Sequence, residues 1–313
     1  VEKLIVKMQF GSHLYGTNTL DSDVDYKGIF MPSKKQIFLG RIPKSYNQTT
    51  KKNNDRKNTS GDTDTEIYSL HYFIELACQG QTVALDMLHA PQGMILISSP
   101  VWDSIIEQRE KFYTKNLKAF IGYARRQAAK YGIKGSRLNA AGLVLNYLKS
   151  LSEDERLSSF WNKLPQGEHI HFIDKDKNGL RQYQIVGKIF QETSRVGYVI
   201  PILQHFHDEY GKRAQLAAEN KGIDWKAISH ALRAAYQTKQ LLTENIIVFP
   251  LKEASYLLKV KQGQQDYITE VVPILEDLMD EIEKLSEQSG LPAKVNRKYW
   301  DRWLEQIVGD NLF

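Results

Sequence analysis

Apolar residues recur along this chain in two rhythms. Near the start they come in short β-branched runs. "LIVKMQF" (residues 4–10) predicts a strand that Gly11-Ser12 ends, and "DVDYKGIFM" (residues 23–31) predicts a second, ended by Pro32. Residues 34–65 turn polar and basic; up to residue 57, Lys34, Lys35, Arg41, Lys44, Lys51, Lys52, Arg56 and Lys57 stand against the single acid Asp55. Residues 46–65 offer almost nothing to bury and read as a mobile loop. "DTEIYSL" (64–70) predicts a third strand, "HYFIELACQG" (71–80) a helix ending at Gly80, and "TVALDMLHAP" (82–91) a fourth strand.

After Val101 the period becomes helical. Residues 114–131 carry Leu117, Phe120, Ile121, Ala124 and Ala128 on one side. Helices are expected again near Tyr210, over 224–243 and over 269–288, the last stopped by Gly290 and Pro292. Between them, residues 165–200 alternate in places and contain the turn sequence "DKNG", which predicts a small β insertion. The expected class is α+β. A small mixed-sheet domain (1–97) is followed by a mainly helical domain (98–313) that carries the β insertion at about 165–200.

Composition adds little to this division: 42% hydrophobic and 25% charged residues are ordinary globular values, and 313 residues suffice for two domains. No apolar run approaches the ~20 residues of a membrane span, and no leader pattern opens the chain. The lone Cys78 cannot form an internal disulfide and favours a reducing compartment, so a cytoplasmic protein without membrane partners is expected. Cys78 falls on a helix face with Phe73 and Ala77 and is expected as a buried structural thiol.

The chemistry concentrates in "GSHLYGTNTLDSDVDYKGIF" (residues 11–30), where Asp21, Asp23 and Asp25 alternate. Asp23 and Asp25 share one face of the predicted strand, about 7 Å apart. Such a pair can hold two divalent cations, and hard carboxylate ligands suit Mg²⁺, with Mn²⁺ as the substitute. Asp21 precedes the strand and is expected in a turn. Gly11 would let backbone approach a triphosphate, and Ser12 adds a hydroxyl and an N–H. His13 could touch a phosphate or face solvent. An EF-hand loop counted from Asp21 needs Gly at its sixth position and Glu at its twelfth, where Tyr26 and Pro32 stand. A P-loop needs Lys after the second Gly, where Thr17 stands.

Other patterns point to nucleic acid. Residues 111–137 hold eight Lys or Arg and no acid, and Lys130, Lys134 and Arg137 sit in or beside the turn "YGIKGS", which suits a triphosphate or an RNA backbone. The 34–57 segment could act as a second clamp. Two H-x-H pairs, His169/His171 and His205/His207, lack the further ligands a zinc site needs. His230 and Arg233, one helical turn apart, could face a cleft or serve packing.

The Gly-Ser, ten-residue, Asp-x-Asp arrangement resembles the DNA polymerase β-type nucleotidyltransferase superfamily. The full string is similar to its RNA-repair branch, found beside RNA ligases. The likeness continues in "EIYSLHYFIELACQGQTVALDMLHAP", "YARRQAAKYGIKG", "SHALRAAYQTKQLLTENIIVFPLKEASYLLKVKQGQ" and "SGLP", and is weaker over about 138–222. It implies transfer of a nucleotide from an NTP to a hydroxyl, with Mg²⁺ or Mn²⁺ as cofactor. The acceptor implied is an RNA end, such as that of a tRNA. It also implies a third carboxylate on a neighbouring strand. Glu66 is the first choice and Asp64 the second, with Asp86, on the expected fourth strand, as the remaining candidate.

Overall fold

A computed structural model describes residues 3–50, 61–115 and 135–312. The expected helix over 114–131, and with it Lys130 and Lys134, lies almost wholly outside the described residues, as does most of the basic stretch 111–137. The chain is α+β, with an N-terminal sheet and a helical C-terminal region. It divides into two compact units, Val1–Arg125 with Trp225–Gln264 and Ile274–Phe313, and Arg126–Asp224 with Gln265–Pro273.

The first unit is built on a five-stranded sheet in the order β3-β4-β2-β1-β5. Strand β1 (Lys3–Phe10) buries Ile5, Val6, Met8 and Phe10, and pairs antiparallel with β2 (Val24–Met31). A five-residue helix, α1 (Gly11–Tyr15), starts the connection between them and ends on Gly16 in the left-handed region. Strand β4 (Thr63–Ser69) lies parallel to β2, and β5 (Ile95–Ile97) closes the other edge on β1.

Two expectations are corrected here. Part of the predicted 46–65 loop is β3 (Ser45–Thr49), which follows the short helix α2 (Lys34–Phe38) and pairs antiparallel with β4. Its residues are nearly all exposed, so backbone pairing rather than burial holds it, and the hydrophobic pattern gave no sign of it. The predicted fourth strand is a helix, α4 (Thr82–Leu88), following α3 (Leu70–Cys78). Residues Ala84 to Leu88 are all buried, so no polar stripe betrays the helical period.

The rest of this unit is helical. It holds α5 (Pro100–Ile106) and, after the chain's excursion into the second unit, α8 (Trp225–Glu244), α9 (Ala254–Lys261), most of α10 (Val272–Gln288) and α11 (Arg297–Leu312). The second unit packs α6 (Gly135–Lys149) and α7 (Val196–Ala218) with a three-stranded antiparallel sheet, β6 (Ile170–Ile173), β7 (Gln182–Ile185) and β8 (Lys188–Gln191). This is the predicted β insertion. Asp176 shapes its first turn by accepting hydrogen bonds from the Asn178 and Leu180 N–H groups.

His89 follows α4 in the core and is 5% exposed. Its Nδ1 donates to the Leu85 carbonyl at 2.7 Å, and its Nε2 accepts from the Tyr113 hydroxyl at 2.8 Å. Burial lowers its pKa from the ordinary 6.5 to about 4. The folded state therefore resists protonation that the unfolded chain accepts. Its contribution to stability is complete above pH 6.5 and is lost as the pH falls toward 4, at about 1.4 kcal/mol per pH unit. Denaturant titrations at pH 7, 6 and 5 should show this slope, and His89→Gln should flatten it.

Candidate metal and nucleotide site

The parallel register of β2 and β4 sets Asp25 beside Asp64 and Lys27 beside Glu66. Paired residues share a face of the sheet, so the two acids point the same way. Asp23, just before β2, joins them. One carboxylate oxygen from each of Asp23, Asp25 and Asp64 lies within 4.8 Å of the others. Among the described residues this is the one group of three or more metal-ligating side chains. The His169/His171 and His205/His207 pairs form none. Burial raises the pKa of Asp25, the Asp23 and Asp64 charges raise it further, and Lys27 and Lys226 offset this in part. Crowded hard oxygens with excess negative charge fit a small divalent cation.

Glu66, expected first as the third acid, lies outside this group. Its Oε2 accepts from Lys27 Nζ and the Tyr68 hydroxyl, each at 2.6 Å, and its Oε1 accepts from Ser45 Oγ at 3.2 Å. Burial alone would raise its pKa, but these hydrogen bonds outweigh that and hold it below the usual carboxylate value. Asp86 sits on α4, 1% exposed, away from the three carboxylates. It accepts from the Tyr15 hydroxyl (2.8 Å), from an Arg233 terminal nitrogen (2.8 Å) and from Gln237 Nε2 (2.7 Å). Asp21 is exposed in the turn before β2.

A cavity of about 370 Å³ borders the three carboxylates. Gly11 and Ser12 line it from the sheet side. Gly11 has φ +63°, and a Cβ there would fall 1.9 Å from Asp25 Oδ2, so only glycine lets this turn pass so near the carboxylate. Ser12 Oγ and His13 Nε2 are buried with no hydrogen-bond partner. Ser12 lines the cavity, whereas His13 is absent from its lining. From α8 and α9 come Lys226, Ser229, His230, Arg233 and Lys261. Ser229 Oγ donates to the Leu257 carbonyl at 2.8 Å and ties the two helices together. Arg233 also stacks over the Tyr15 ring, 3.8 Å from its centroid. Lys261 donates to the Thr17 carbonyl at 3.3 Å. Burial and then the nearby Lys226 lower its pKa, against a pull from Asp23 and Asp25.

Sequence reading did not single out Lys226 or Lys261, which lie some 200 residues beyond the acids they approach. Their signal was indirect: both fall within or beside the 229–264 stretch that carries the family likeness. Lys239, in the same stretch, pairs instead with Glu281 at 2.8 Å. Cys78 is half-buried, and burial pushes its thiol up to about 11, an unreactive value.

Residues 2–148 match the sequence model of the RNA repair pathway DNA polymerase beta family. The chain is also 38% identical to the "Uncharacterized 38.9 kDa protein in nrdC-mobD intergenic region" of Enterobacteria phage T4, with 99% of this chain and 98% of that protein covered. The chain belongs to the RNA repair pathway DNA polymerase beta family. No solved structure matches it. Within this family member, the matched region contains all three clustered carboxylates, while Lys226, Arg233 and Lys261 lie beyond it. No described helix is long and apolar enough to cross a membrane.

Proposed function

We propose that the protein is a nucleotidyltransferase that moves NMP from an NTP to the hydroxyl of an RNA end and releases pyrophosphate. The observation that carries this reading is the single cavity bordered by Asp23, Asp25 and Asp64 and also lined by Lys226, Arg233 and Lys261. Anionic ligands suited to metal and cations suited to a polyphosphate meet there. Asp23, Asp25 and Asp64 would hold Mg²⁺ or Mn²⁺, which supplies charge neutralisation at the attacking and leaving oxygens. Gly11 admits backbone close to a phosphate, and the Ser12 hydroxyl supplies a hydrogen bond. Lys226, Arg233 and Lys261 offset the charge of the leaving pyrophosphate. The acceptor oxygen bonds to the α-phosphorus as the bond to the bridging oxygen breaks, and the hydroxyl proton leaves to a carboxylate of the three. The RNA acceptor rests on the family's description as part of an RNA repair pathway.

The test supplies Mg²⁺ or Mn²⁺, each α-labelled NTP in turn, and RNA, a protein mixture or no acceptor. Label on RNA, lost in Asp23→Ala or Asp25→Ala, is expected. Label on protein instead would overturn the acceptor, and no transfer to anything would overturn the reading.

Gly11→Ala carries a further expectation. Its Cβ would displace the Asp25 carboxylate, and alanine at φ +63° costs roughly 1–2 kcal/mol. A displacement near 1 Å lowers turnover about 10²-fold. Steady-state transfer rates should fall by that order, with only a small drop in melting temperature.

A further inference from the structure

The clustered carboxylates border a second space. A groove of about 390 Å³ runs along β3 and β4, and Asp25, Lys27 and Asp64 line both it and the first cavity. The two differ sharply in chemistry. The first carries Lys226, Arg233 and Lys261. Among the described residues lining the second, the one cation is Lys27, whose Nζ lies 2.6 Å from Glu66 Oε2. With Lys27 tied to Glu66, the described lining of this groove offers fewer cations than the first cavity, where Lys226 and Lys261 stand beside the Asp86-paired Arg233. On the face of Asp64 and Glu66 the groove presents the Asn47 amide, the Thr49 hydroxyl and the Glu66 carboxylate, with Gln48 and Thr65 also along its wall. That set suits a neutral group rich in hydroxyls, and the volume is within the range of small-molecule sites.

We propose that this groove is the acceptor side of the site and holds the terminal ribose of an RNA by its vicinal 2′- and 3′-hydroxyls. The proposal rests on the nucleotidyl-transfer reading above. In-line displacement needs the attacking hydroxyl and the leaving pyrophosphate on opposite sides of the phosphorus. Two cavities that share Asp25 and Asp64 offer separate places for these two groups, with the cation-lined one taking the pyrophosphate. Glu66 selects for hydroxyls because a carboxylate only accepts. Of its roughly four acceptor positions, Lys27, Tyr68 and Ser45 use three, and one is left for an O–H. Asn47 stands directly across from Glu66 in the β3–β4 register. Its amide is therefore on the same face, about 5 Å away at Cβ, and can meet the second hydroxyl. A hydrogen bond to a charged acceptor separates a ribose end from a deoxyribose end by roughly 10- to 100-fold.

The experiment compares short oligoribonucleotides ending in ribose or in 2′-deoxyribose. It reads equilibrium binding by fluorescence anisotropy without NTP, and transfer kinetics with NTP, for wild type, Glu66→Gln and Asn47→Ala. The ribose end should bind and react at least tenfold better in the wild type. Both variants should raise the acceptor KM with the NTP KM unchanged, and the one that loses the 2′-hydroxyl contact should erase the preference. Asn47 is on the exposed edge strand, so its variant keeps the test valid should Glu66→Gln fail to fold. Equal handling of the two ends by the wild type, transfer to a protein hydroxyl instead, or a changed NTP KM with the acceptor KM constant would overturn the proposal and leave nucleotidyl transfer standing. Absence of transfer from wild type to every acceptor would instead sink the nucleotidyl-transfer reading, and this proposal with it.

Discussion

Asp25→Asn should reduce nucleotide transfer by at least about 10³-fold, the order expected when a preorganised electrostatic element is removed from a transition state. Asp25 lies within reach of both other carboxylates. Burial, Asp23 and Asp64 all push its pKa upward, so the metal-free protein holds an unfavourable concentration of charge. Removing that charge should raise the melting temperature of the metal-free protein while abolishing the extra stabilisation that added Mg²⁺ or Mn²⁺ gives the wild type. Single-turnover transfer and thermal melts with and without the metal check both halves. A variant that lost activity by unfolding would melt lower, the opposite sign.

Asp86→Ala should have the largest effect on stability. The Asp86–Arg233 pair is buried, with side-chain exposures of 1% and 12%. Deleting the carboxylate leaves the guanidinium buried without its counter-charge, and Tyr15 and Gln237 lose an acceptor. Breaking such a pair costs about 3–5 kcal/mol, which lowers a melting midpoint by roughly 10 °C. An Asp86→Leu/Arg233→Leu double variant should recover much of that loss, because replacing both partners removes the stranded charge. It should not recover function. With Arg233 gone from the cavity, the NTP KM should stay raised by about tenfold or more. Melting curves and NTP saturation curves of the single and double variants separate the structural role of Asp86 from its role in holding Arg233 toward substrate.

How much of this was legible in the sequence follows from which interactions are local. Strands β1 and β2 are read from alternation over eight residues, and the turn between them places Gly11 near Asp25 within the same short stretch. The helix α4 was not legible, because Ala84–Leu88 are buried on every side and a wholly buried helix reads like a buried strand. That error moved Asp86 to a strand, when it is a helix residue facing Arg233. Strand β3 is polar and edge-on, so backbone pairing specifies it and the side-chain pattern does not. Which of Asp64 and Glu66 stands beside Asp25 was beyond the sequence for a related reason. Alternation puts both on one face of β4, and only the register with β2 sets Asp64 beside Asp25 and Glu66 beside Lys27. Lys226 and Lys261 reach the cavity through the return of the chain to its first unit, which no local pattern encodes.

We propose Asp23, Asp25 and Asp64 as the reacting centre, with Glu66 held apart by Lys27, Tyr68 and Ser45. Single-turnover transfer at saturating NTP and acceptor, compared between Asp64→Asn and Glu66→Gln, tests it most directly. Asp64→Asn should fall about 10³-fold, as Asp25→Asn does, while Glu66→Gln should keep its maximal rate and lose only acceptor affinity. A Glu66→Gln enzyme with no chemistry beside an active Asp64→Asn would contradict it.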